Sequence, residues 1–325
     1  MMKDEKANIQ TSTQSSLLFQ KRDEFILSAI QEYDGLLAKR HLKYLFWHTS
    51  TWRAMERRLS KLFHAGFIQR SNLEDRKRHP VPEPVIWLGW RGAIFLAGKQ
   101  GIDITNPETL NENKMRLLNH QLRENNFNWL REPRWSQMLH DLTITDIRFW
   151  LLESLNEYKN LQMEEWINES TFRSDPDIVD FKFKTRNGEY FSRRKRVSPD
   201  GMFTLVDNKR KNMGLPYRVR YLVEVDMATH DNPTFGNDKA AAGLAYLSSQ
   251  QFKERFGVNS GRWLILTTGK TRLHNLIKQT GDRIPEGTNL FFFTTFDNLG
   301  KSNFLQSPIW YQVGSEEPCS LLPTE

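Results

Sequence analysis

Cysteine is almost absent from this chain: Cys319 is the one copy in 325 residues. That excludes an intrachain disulfide framework and a cysteine-rich zinc site. The eight histidines lack the His-x-x-x-His spacing that zinc prefers. No run of 18 apolar residues is present, so no membrane-spanning helix is expected. The N-terminal stretch MMKDEKANIQTSTQSS has no apolar core of the secretory kind, and the expected location is the cytoplasm. TTGKT at 267–271 lacks the glycine a phosphate-binding P-loop needs five positions before Gly269; Leu264 stands there. An acidic excess is lacking too. Lysine and arginine number 46 against 39 acidic residues, a net charge of +7. That balance fits a polyanionic partner, nucleic acid before membrane.

The chain divides by pattern into an α+β protein of two parts. Residues 1–18 are polar, with few large apolar groups, and read as a disordered tail. Residues 19–100 read as a helical unit closing on a hairpin. Residues 101–136, rich in Asn and Arg, read as a linker or cap. Residues 137–312 read as α/β, and 313–325 as a second tail.

The first part has the order of a winged helix-turn-helix. KRDEFILSAIQEY places Phe25, Ile26, Ala29 and Ile30 on one helical face, and LLAKRHLKYLF predicts a second helix. Thr49, Ser50 or Thr51 is the expected cap of a third, WRAMERRLSKLFH, with Met55, Leu59, Leu62 and Phe63 inward. Arg53, Arg57 and Lys61 follow at intervals of four on its outer face, the spacing of a helix that reads a major groove. Gly66 ends that helix. A strand, a basic turn with Arg76, Lys77 and Arg78 at its tip, and a returning strand VIWLGW complete a wing suited to phosphate contact.

The second part carries the chemistry. SPDGMFTL brings Asp200 to the mouth of an apolar strand, and in YLVEVDMAT Glu224 and Asp226 alternate with valines, leaving the strand on one face. Asp200 and Glu224 are hard oxygen donors of the type Mg²⁺ takes. Arg193, Arg194, Lys195 and Arg196 form a basic segment just before Asp200, expected beside the site and facing DNA. The element order, αβββαβαβ, has the outline of a restriction-endonuclease-like core.

SPDGMFTL, YLVEVDMAT and DKAAAGLAYL, in this order and with MLHDLTITDIR before them, resemble the replication-relaxation family of plasmid and phage proteins. That family is similar to the MobC-type plasmid mobilisation relaxases, which nick DNA at a transfer origin. The resemblance runs from about residue 20 to 300. It implies a winged helix-turn-helix followed by a PD-(D/E)xK-like domain, a double-stranded DNA partner such as a plasmid or phage origin, and Mg²⁺ or Mn²⁺ if the protein is catalytic. It implies metal ligation by Asp200 and Glu224, with Asp226 within reach of the same ion. Asp226 stands where an active enzyme has lysine. Lys239 would then supply the cation from the next helix, where Gly243 and Tyr246 share its face and Gly243 allows close approach to the sheet. Glu169 and His140 are further candidates, and burial is the expected role of Tyr246. The alternative is a non-catalytic DNA-binding replication factor, or a transcriptional regulator, on a nuclease-like scaffold.

Overall fold

Ile26, Leu27 and Ile30 are fully buried along Lys21–Glu32, the first helix (α1) of the computed structural model. Residues 17–78, 83–104, 110–125, 127, 129–184, 190–228, 235–257, 261–300 and 302–322 are described. The protein is mixed α+β and divides into two units, 1–142 and 143–325. Nearly all of the expected N-terminal tail, and part of the expected wing at 79–82, lie outside the described residues. Among the described residues no helix is long and apolar enough to cross a membrane.

In the first unit, β1 (Leu36–Ala38) follows α1, then α2 (Lys39–Trp47), α3 (Trp52–His64), β2 (Ile68–Arg70), α4 (Leu73–Arg78), β3 (Val85–Leu88) and α5 (Trp90–Lys99). The three strands form one antiparallel sheet in the order β1-β3-β2, so central β3 is buried along its whole length. Residues 36–38, expected to open a helix, are a strand because Leu36 to Ala38 pair with Trp87 to Val85. Helix α2 starts only at Lys39, after the Ala38 amide donates to His41 Nδ1 at 3.1 Å. Thr51 caps α3 by accepting from the Ala54 amide at 3.3 Å, and Gly66 turns the chain out of it at φ +76°, where a side chain is strained. Met55, Leu59 and Leu62 are buried as expected, whereas Phe63 is half-buried under the Arg70 guanidinium and Phe25 is 49% exposed.

Asp23 is completely buried, and Arg58 Nε donates to it at 2.6 Å, tying α3 to α1. The basic stretch 76–78 is helical rather than a bare turn. Asn72 and Asp75 cap each other's backbone at 2.8 and 2.9 Å, which starts α4. The expected linker belongs to this unit. It carries α6 (Glu112–Glu124), with Met115, Leu118 and Leu122 buried. Helix α7 (Met138–Leu155) passes from the first unit into the second.

The second unit holds a six-stranded mixed sheet, β11-β10-β9-β8-β7-β4. Its strands are β4 (Leu161–Asn168), β7 (Gly201–Asp207), β8 (Arg218–Asp226), β9 (Gly261–Thr267), β10 (Phe291–Thr295) and β11 (Tyr311–Gln312). Strands β8, β9 and β10 are parallel and the other pairings antiparallel. A separate antiparallel ribbon joins β5 (Asp177–Lys184) to β6 (Tyr190–Val197). Short helices α8 (Glu169–Ser174) and α9 (Asn208–Asn212) follow β4 and β7.

Beyond a π-helical turn the chain forms two helices, α10 (Ala241–Leu247) and α11 (Gln250–Phe256). Ser249 breaks them by capping α11, its hydroxyl accepting from the Phe252 amide at 3.1 Å. Helix α12 (Lys270–Gly281) connects β9 to β10, and α13 (Phe296–Leu299) follows β10.

Alternation along the strands sends side chains into two cores. Leu222, Trp263, Ile265, Phe291 and Phe293 pack on one face with α10, α11 and α12; Tyr221, Val223, Val225, Leu264 and Leu266 pack on the other with α7 and the C-terminal segment. That segment, expected as a tail from residue 313, folds back. Cys319 bridges Trp310 through N···O contacts of 2.7 and 3.0 Å, and Leu321 is buried.

Candidate functional site

Pro199-Asp200 precedes β7, so Asp200 reaches β8 where the two strands begin to pair. Its amide donates to the Val223 carbonyl at 2.9 Å, and its Oδ2 accepts from the Val225 amide at 2.7 Å. The residue is 7% exposed, and the Val225 amide holds one oxygen of its carboxylate on that edge. Glu224 lies between those two valines on the opposite face, that of Leu222 and α10.

A π-helical turn, Gly236–Ala240, leads into α10 on the same face. From it Lys239 Nζ reaches Glu224 Oε1 at 2.6 Å. Burial opposes the charged form of Lys239. The charges of Glu224, Asp200 and Glu169, with the Glu224 hydrogen bond, outweigh it and hold the lysine above its ordinary pKa. The structure therefore brings Asp200, Glu224, Lys239 and, from the start of α8, Glu169 into one electrostatic group. Close approach depends on Gly243: a Cβ there would meet Trp263 Nε1 at 2.9 Å, and that indole donates to the Gly243 carbonyl at 3.2 Å.

Asp226 shares the face of Glu224 but is engaged elsewhere. Arg272 Nε and Nη2 donate to its two oxygens at 2.8 Å each, and Thr267 Oγ1 donates at 2.7 Å. Both ion-pair partners are largely buried. Asp226 thus joins the ends of β8 and β9 to α12, while Glu224 faces Lys239. Among the described residues, no group of three or more His, Cys, Asp or Glu side chains is placed to hold a metal ion. Two hard carboxylates fit the mode in which Mg²⁺ takes one or two protein oxygens and completes its shell with water and substrate phosphate; they do not make a closed protein cage.

Tyr246 is fully buried, and its hydroxyl donates to Asp177 Oδ2 at 2.5 Å. Burial and Asp177 raise the pKa of its phenol, the opposite of what a nucleophile needs. His140, in the first unit, lies 3.5 Å from its neighbour Asp141.

The cationic candidates fall in three places. Arg53, Arg57 and Lys61 are exposed along α3. Arg76, Lys77 and Arg78 form the last turn of α4, with Lys77 and Arg78 exposed. Arg193, Arg194, Lys195 and Arg196 lie on strand β6. Arg193 Nη1 and Lys195 Nζ both reach Asp238, at 2.7 and 3.2 Å, while Arg194 lies 4.0 Å from Asp180 on β5.

Sequence reasoning passed over Asp238 and the role of Arg272. Asp238 was signalled by its place beside Lys239. Arg272 was signalled only by tertiary structure, because Asp226 and Thr267 come level through the parallel β8–β9 register.

No protein-family model, no curated protein and no solved structure matches this chain.

Proposed function

We propose that the protein is a DNA-binding protein of plasmid or phage replication or mobilisation, with a winged helix-turn-helix in its first unit and a PD-(D/E)xK-like nicking site in its second. The observation that carries this reading is the grouping of Asp200, Glu224 and Lys239 around the start of the β7–β8 pairing, with the lysine supplied from the π-helical turn. The exposed row Arg53, Arg57 and Lys61 supports duplex binding by the first unit.

In this reading Asp200 and Glu224 hold Mg²⁺ or Mn²⁺. Bound there, the ion supplies Lewis-acid polarisation of a phosphate and lowers the pKa of a water. The chain's own residues do the rest. Asp200, locked to the Val225 amide, keeps its carboxylate oriented without reorganisation. Lys239 remains an ammonium at neutral pH and offers positive charge to the phosphoryl oxygens. Asp226 holds the sheet end through Arg272 and takes no part in the chemistry.

A second reading, a non-catalytic DNA-binding factor, is favoured by one observation: the 2.6 Å contact puts Lys239 on the same Glu224 carboxylate that a metal would use. Incubating the purified chain with supercoiled plasmid and Mg²⁺ or Mn²⁺ separates the two. Open-circular product from wild type, lost in Asp200→Asn and Glu224→Gln while duplex binding persists, supports nicking. Binding without product under either ion leaves the non-catalytic reading, and absence of duplex binding removes both.

A further inference from the structure

Asp238 and Lys239 are neighbours in the π-helical turn, yet their side chains engage different elements. Lys239 takes Glu224 on β8, whereas Asp238 takes Arg193 and Lys195 on β6. Arg193 and Lys195 are two residues apart, so they project from one face of the strand. They converge on separate oxygens of a single carboxylate: Arg193 on Oδ1 at 2.7 Å and Lys195 on Oδ2 at 3.2 Å.

That arrangement of a guanidinium and an ammonium about two anionic oxygens is the one a phosphodiester accepts. The cluster is open to ligand, with side-chain exposures of 52% for Arg193, 30% for Lys195 and 29% for Asp238. Ion pairs this open to solvent hold their partners only weakly, so an incoming polyanion can displace the carboxylate. Lys195 also senses the candidate site. Burial, partly offset by Asp238, lowers its pKa; the charge of Lys239 pushes the same way, and that of Glu224 pulls back.

We propose that Arg193 and Lys195 form a subsite for one backbone phosphodiester beside Lys239, and that Asp238 occupies it in the DNA-free protein as an intramolecular competitor. Asp238 is then a gate. DNA releases the two cations from it, and the released carboxylate repels strands that do not seat fully. This inference rests on the DNA-binding reading above.

The test is fluorescence anisotropy of the full chain with an end-labelled duplex of arbitrary sequence, measured across a salt series. Asp238→Asn removes the competitor and keeps the shape. It is expected to bind roughly two- to fivefold tighter, the scale of a partly exposed ion pair. Its salt slope should steepen by about one, because no carboxylate is left to recapture a cation. Arg193→Gln with Lys195→Met is expected to weaken binding and to abolish the gain from Asp238→Asn. Equal or weaker binding by Asp238→Asn overturns the gate while wild-type binding keeps the DNA reading. A gain that persists without Arg193 and Lys195 also overturns it, since it would then be a general charge effect. If neither wild type nor Asp238→Asn binds duplex, both readings fail.

Discussion

Replacing Arg272 with methionine strips Asp226 of its charged partner and asks what that carboxylate is for. The guanidinium makes two hydrogen bonds of 2.8 Å, one to each Asp226 oxygen, and the two side chains expose 13% and 6% of their surface. Thr267 remains on Oδ2 after the substitution, so the carboxylate keeps one neutral donor but loses its counter-charge. Breaking a buried ion pair from one side costs about 3–5 kcal/mol. For a unit of this size each kcal/mol moves the midpoint by about 2–4 °C, so the second unit should melt roughly 6–20 °C lower. Differential scanning calorimetry or urea denaturation followed by far-UV circular dichroism reads this directly. The control is the double variant Asp226→Leu with Arg272→Met. It removes both charges and should recover much of the loss, because no uncompensated charge stays buried. A loss below about 1 kcal/mol for Arg272→Met, or a double variant as unstable as the sum of its singles, would refute the view that Asp226 serves as an anchor.

Tyr246→Phe deletes the hydroxyl donated to Asp177 and should cost about 1.5–3 kcal/mol near pH 7 in urea denaturation. The folded phenol's pKa lies above its ordinary 10.0, so its contribution is complete below that pH and fades as pH rises through the folded value; the variant should show a flatter alkaline loss above about pH 10. Gly243→Ala places a methyl 2.9 Å from Trp263 Nε1, and about 1–3 kcal/mol of overpacking should appear together with a shifted tryptophan emission. An unshifted, fully stable variant would show that the indole gives way freely. In electrophoretic mobility shifts, Arg53→Ala with Arg57→Ala should weaken duplex binding by about 1–3 kcal/mol and relax sequence preference. Neutralising Arg76, Lys77 and Arg78 should weaken all sequences alike and flatten the salt dependence. Unchanged binding in both would move the contact to β6.

Much of this protein was determined by local sequence. The apolar spacing of Met55, Leu59 and Leu62 defines α3 and leaves Arg53, Arg57 and Lys61 outward, because a helix repeats every 3.6 residues whatever surrounds it. The alternation in YLVEVD puts Glu224 and Asp226 on one face for the same kind of reason, with a period of two. Other features had no local signal. Leu36 to Ala38 read as helix and became strand because β3, almost fifty residues on, supplied the hydrogen bonds. The C-terminal segment read as a tail and packs because Trp310 gives Cys319 a bridge. The two neighbouring carboxylates illustrate the limit most clearly. By strand periodicity alone Glu224 and Asp226 are equivalent, on the same strand and the same face. Only the parallel register of β8 with β9, which brings Thr267 and then Arg272 to Asp226, and the π-helical turn, which brings Lys239 to Glu224, give them different partners. A side chain's direction follows from backbone periodicity, but its partner depends on which distant segments the packed sheet brings within hydrogen-bonding range.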